Sequence, residues 1–97
     1  MSVTTHGYLA VVPRISEFYG IAIYMYWKDH GPAHVHAFYS GDEALVRISD
    51  GTVIAGAIPQ NAARLVGDWV ALRQAELVAD WERAQVPEPL LPIEGLR

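Results

Sequence analysis

The feature that most constrains this chain is a change of hydrophobic period at Pro59. Before it, apolar residues come in short runs cut by turn signals: "FYGIAIYMYWK" (18–28), "AHVHAFY" (33–39), "ALVRIS" (44–49) and "TVIAGAI" (52–58). Aromatic and β-branched residues dominate these runs, and each is too short for a typical helix, so four strands are predicted. "HGP", "SGDE" and "DG" supply turns between them, and connections this short join antiparallel neighbours into a meander. Beyond Pro59, Ala62, Leu65, Val66 and Trp69 fall on one helical stripe, with no strong breaker before Pro87. Continuing that stripe would carry Arg73, Glu76 and Asp80 inward, whereas Leu77, Trp81 and Ala84 form a rotated face. A kink, or two helices meeting near Arg73–Glu76, is therefore expected.

A helical segment on one face of a four-stranded antiparallel β-meander is an α+β fold, two layers over one core. The chain's 97 residues suffice for one such core and not for two. The expected domain is 13–86, with an N-terminal extension at 1–12 and a C-terminal tail at 87–97. Apolar residues make up 52% of the chain against 19% charged, which excludes a disordered chain and leaves apolar surface for a partner.

Cysteine is absent, so disulfides, thiolate zinc sites and cysteine nucleophiles are excluded, and a cytoplasmic location is expected. The N-terminus has no basic residue before Arg14, unlike a signal peptide, and the richest apolar run, "YGIAIYMYW", is too short to cross a bilayer as a helix. No membrane association is expected. Residues 1–58 carry three basic and five acidic side chains and residues 59–97 four and six, so each part is −2 and the total −4. With no basic stripe, stable binding to DNA is not expected, although brief catalytic contact with RNA stays open.

Strand parity sorts the chemistry. His34, His36 and Phe38 share one face of their strand, while Val35, Ala37 and Tyr39 share the other; Ile21, Ile23, Met25 and Trp27 oppose Ala22, Tyr24, Tyr26 and Lys28. With helices on the aliphatic side, the other face gathers Tyr24, Tyr26, Lys28, His34 and His36, joined by Arg47 or Glu43. Three readings of this histidine-rich face stay open. His34 and His36, with His30 across the Gly31–Pro32 turn, could hold a divalent ion such as zinc and leave a position for water. Alternatively His34, His36, Tyr26 and Lys28 could move protons and stabilise charge without a metal, as in metal-free ribonucleases. Or the histidines belong to a turn and a homodimer interface. Asp29 could orient His30, although a turn aspartate more often bonds its own backbone.

The blocks "FYGIAIYMYWKDHGPAHVHA" and "RLVGDWVALRQAELVADWE" resemble a family of small bacterial and phage-associated proteins designated only as a domain of unknown function, number four-one-six-zero. Its motif positions fall on Phe18, Tyr19, Gly20, Met25, Tyr26, Asp29, His30, Pro32, His34, His36 and Ala37, then Leu65, Trp69, Glu76, Leu77 and Trp81. The resemblance implies a toxin-like or partner-binding component of a two-gene toxin–antitoxin module, with a cognate small antitoxin-like protein as partner and RNA as a candidate substrate. On that implication the surface bearing His30, His34 and His36 is where RNA cleavage would be sought. The alternatives from the residues themselves are a metal-dependent hydrolase using His30, His34 and His36, or a structural homodimeric interaction domain.

Overall fold

In the computed structural model, which describes residues 13–97, the run 18–28 is not one strand. Phe18 ends β1 (Arg14–Phe18) and Ile21 begins β2 (Ile21–Tyr24), the two residues pairing across a two-residue loop. Both loop residues, Tyr19 and Gly20, have positive φ (51° and 77°), as in a type I′ turn, whose twist matches that of the strands it joins. Glycine takes this conformation without steric cost, so the chain reverses where the apolar pattern continues. The expected four strands are corrected to five: β1, β2, β3 (His34–Tyr39), β4 (Asp42–Arg47) and β5 (Val53–Gly56), in that order, each antiparallel to the next. Ser40 and Gly41 make a second loop of the same kind between β3 and β4.

The helical segment is split. α1 (Gln60–Leu72) begins directly after Pro59, and α2 (Gln74–Gln85) follows one residue later. Arg73, at φ −110° and ψ 28°, has left the helical region and is the joint. The split lies where the rotated apolar face places it, but Asp80 does turn inward. It is fully buried, its Oδ1 accepting from Arg83 Nη1 at 2.8 Å and from the Leu91 amide at 2.9 Å. Trp81 is only half-buried.

Ile21, Ile23 and Met25 meet Val35, Ala37, Ala44 and Val46 on the helix-facing side of the sheet, packed with Ala62, Val66, Trp69, Val70, Leu77 and Ala84. Burying one such aliphatic side chain stabilises by about 1.5–3 kcal/mol. At one place backbone meets backbone: a Cβ on Gly51 would lie 3.2 Å from Gly67 Cα, so glycine here lets α1 sit against the β4–β5 turn. Residues 87–97 form no helix or strand but are fastened to the domain. Ile93 is buried and its amide donates to Ile15 of β1, while Trp27 Nε1 donates to Glu88 O and Trp69 Nε1 to Glu94 O, each at 2.8 Å. No helix among the described residues is long and apolar enough to cross a membrane.

Candidate metal centre

The loop between β2 and β3 carries the chain back with two left-handed residues, Lys28 (φ 60°) and Gly31 (φ 84°). The Lys28 amide donates to Ala84 O at the end of α2, which fixes the loop against the helix and turns Asp29 over the end of β3. Asp29 Oδ1 accepts from the His30 amide at 3.0 Å, the local bond typical of a turn aspartate. Its Oδ2 lies 3.0 Å from both His34 Nε2 and His36 Nε2. His34 and His36 are two apart on β3 and project to the same side, their ring centroids 5.0 Å apart.

Each ring is held by its other nitrogen. His34 Nδ1 lies 2.8 Å from Pro32 O. A carbonyl can only accept, so this nitrogen carries the proton. His36 Nδ1 lies 2.7 Å from Glu43 Oε2, a carboxylate that likewise takes its N–H. In neutral rings both Nε2 atoms therefore present lone pairs towards one carboxylate oxygen. The His34 Nε2–Asp29 contact is close in distance but not directed as a hydrogen bond, and that buried nitrogen has no hydrogen-bonding partner. Protonating both rings would give each nitrogen a donor, at the cost of two adjacent cations, one on a side chain only 4% exposed. A divalent ion among the three atoms satisfies all of them at once.

Asp29 is poised to be a ligand. Burial opposes its ionisation; against cationic rings the hydrogen bond from His36, the His30 amide and the charges of His34 and His36 outweigh burial and hold the carboxyl below its ordinary range, whereas against neutral rings the His30 amide alone supports the carboxylate and a cation between the three atoms would take the place of the two ring charges. The Asp29, His34 and His36 donor atoms all lie within 4.8 Å of one another. The two 3.0 Å separations are a few tenths short of the ~3.3 Å edge of a tetrahedron with zinc–ligand arms of about 2.0–2.1 Å. Around them, Tyr26 sets its ring edge-on to His36 with centroids at 4.5 Å, and Trp81 closes the other side against His34 at 5.4 Å. Burial first, then the charges of Glu43, Tyr24 and Asp29, raise the Tyr26 phenol above its usual value, so at neutral pH it is a donor.

Of the residues singled out from sequence, the structure brings together His34, His36, Tyr26 and Glu43. His30 is exposed, its amide spent on Asp29, and it lies outside the cluster. Lys28 is exposed and contributes its backbone. Arg47, opposite His34 in the β3–β4 register, turns to Asp50 instead. Asp29, expected from sequence as a turn residue or an orienting group for His30 and as a motif position of the family resemblance, supplies the third donor instead.

An α+β domain with two strand histidines and a loop carboxylate converging on one point is the class that fold and site define. Residues 20–82 match the family described as Domain of unknown function (DUF4160), and the chain belongs to that family. No curated protein and no solved structure matches the chain.

Proposed function

We propose that the chain is a metal-binding domain that activates water for hydrolysis, with Asp29, His34 and His36 as the ligands. The observation that carries this reading is the fixing of both rings by their Nδ1 atoms, which leaves two Nε2 lone pairs and Asp29 Oδ2 converging. Backbone carbonyls and carboxylates that orient ligand imidazoles in this way are the usual outer shell of a metal site. Two imidazoles and one carboxylate form the donor set of hydrolytic zinc centres and of non-haem iron sites. With three protein ligands and an open position, such an ion lowers the pKa of water towards neutrality and polarises a bound carbonyl or phosphoryl oxygen.

Metal-free acid–base catalysis is the weaker reading, because a general base needs a ring nitrogen that substrate can reach. Here both Nε2 atoms face the same carboxylate oxygen, and that of His34 is buried. Tyr26, whose ring stands edge-on to His36, would be the donor to a developing negative charge, and Glu43, bonded to His36 Nδ1, would orient that ring for a metal. In the two-gene setting implied by the family resemblance, an antitoxin-like partner would act by covering Asp29, Tyr26 and Glu43, and RNA is one candidate phosphoryl substrate.

The test is metal content of tag-free protein, as purified and after adding zinc or ferrous iron, for wild type beside Asp29→Asn, His36→Ala and His30→Ala. One equivalent bound by wild type and His30→Ala, and lost in the other two with their cooperative melts intact, is the expected result. Wild type that takes up none of the added ions would refute the reading.

A further inference from the structure

β5 is out of place for a monomer. It reads Val-Ile-Ala-Gly, the composition of a core strand, yet all four residues are exposed, Val53 at 40% and Ile54 at 37%. Its only neighbour in the sheet is β4, so its outer edge presents backbone groups that no strand among the described residues pairs. The opposite edge of the sheet is treated differently: β1 is covered by the C-terminal segment through the Ile93 amide and Ile15 O. Edge strands are normally protected by charge, by proline or by cover. Among the described residues β5 has no charge, no proline and no cover, its protection being limited to its four-residue length and a bulge at Ile54, and residues 51–63 contain no charged side chain at all.

We infer that β5 is a homodimer interface, two copies pairing antiparallel through their β5 edges to make one continuous ten-stranded sheet. The charge-free stretch selects a second copy as the occupant. In a twofold antiparallel pair the residue at the axis meets its own equivalent and the others meet residues of the same short strand across the axis, so a strand carrying one sign of charge would repel its copy, and this strand carries nothing to repel. Val53, Ile54, Ala55 and Ala57 then lose water on both faces of the joined sheet. An antiparallel strand pair has its dyad perpendicular to the sheet, so the two Asp29–His34–His36 centres would lie on the same face. Five strand spacings of about 4.8 Å put them about 24 Å apart. The inference does not depend on the metal reading.

The experiment is light scattering on size-exclusion chromatography at micromolar concentrations, full chain against a form lacking residues 1–12, with and without zinc. The expected mass is twice that of the chain for both forms, 10.7 kDa being the mass of one full chain, whether or not zinc is present. Val53→Lys and Ile54→Lys should each give monomers with a cooperative melt, and mixing Val53→Lys with Val53→Glu should restore a dimer that neither forms alone. A variant that fails to fold is replaced by Ala55→Lys at the same edge. A monomeric full chain overturns the inference, and if it dimerises only once residues 1–12 are removed, that segment is the occupant instead. Dimers that persist in all the lysine variants would place the interface elsewhere.

Discussion

Replacing Glu43 by glutamine keeps an acceptor beside His36 Nδ1 but removes its charge. The two rings of the proposed centre are oriented by unlike means. His34 is buried and bonded to a backbone carbonyl that no substitution can remove, whereas His36 depends on a side chain that is 41% exposed. Loss of an outer-shell partner costs roughly 10–100-fold in metal affinity. The exposure of Glu43 places it at the lower end, so about tenfold, or about 1.4 kcal/mol, is expected for Glu43→Gln. Metal that binds only the folded state stabilises it by RT ln(1 + [L]/Kd). At fixed, near-saturating zinc the variant should lose about 1.4 kcal/mol of that stabilisation, or about 6–11 °C of the zinc-induced rise in Tm for a domain of this size. Paired thermal melts with and without zinc, plus competition against a chromophoric chelator, measure both quantities. Equal zinc-induced shifts in wild type and variant, or a variant whose loss of Tm is the same without metal, would refute the account of Glu43 as an orienting group for a ligand.

Asp80→Ala should destabilise the protein by about 1–3 kcal/mol, because it leaves the Leu91 amide and the Arg83 guanidinium without their acceptor; denaturant melts measure it, and a loss below half a kcal/mol, about the noise of a surface substitution, contradicts the role given to this buried carboxylate. Trp69→Phe keeps a ring tilted against Phe18 but orphans Glu94 O, so hydrogen exchange should quicken selectively at residues 93–96, and uniform quickening would count against a local tether. Asp50 is held well below the ordinary carboxylate range by the Arg47 guanidinium and by the Thr52 amide and hydroxyl. A lowered folded pKa means its contribution is complete above the unfolded value of about 3.9 and fades as pH falls through the folded one. Asp50→Asn should therefore flatten the acid side of the stability profile, and since the pair is exposed, salt should shrink the difference.

Much of this was legible where one physical rule acted alone. Period two placed His34 and His36 on the face opposite Val35 and Ala37 because β3 is paired on both sides and cannot slip without turning Val35 and Ala37 out of the core. The break near Arg73 was legible because helical stripes do not rotate without one. Other features depended on choices that pattern does not encode. β1 was hidden because Tyr19–Gly20 reverses the chain inside an unbroken apolar run. Asp80 looks too polar for the interior, yet two donors, Arg83 one turn along the helix and the Leu91 amide of the C-terminal segment, make its burial tolerable. Asp29 reaches the two histidines because Lys28 and Gly31 adopt left-handed backbone and a hydrogen bond from the Lys28 amide to Ala84 O ties the loop to α2, a tertiary contact that periodicity does not encode. For β5, composition indicated a strand but not that three of its sides would face water.

The fastening of residues 87–97 bears on how the chain matures. β1 is the first strand of the sheet to be synthesised, yet the Ile93 amide that meets its edge, and the Glu94 carbonyl that satisfies the central Trp69 indole, come almost eighty residues later. Domains fold as units once enough of the chain is available. A nascent chain that has made the sheet and both helices still carries an uncovered first strand and an unpaired indole N–H in its core. Closure of the domain thus waits for residues 87–97, and until they are made the β1 edge lacks the cover that they give it.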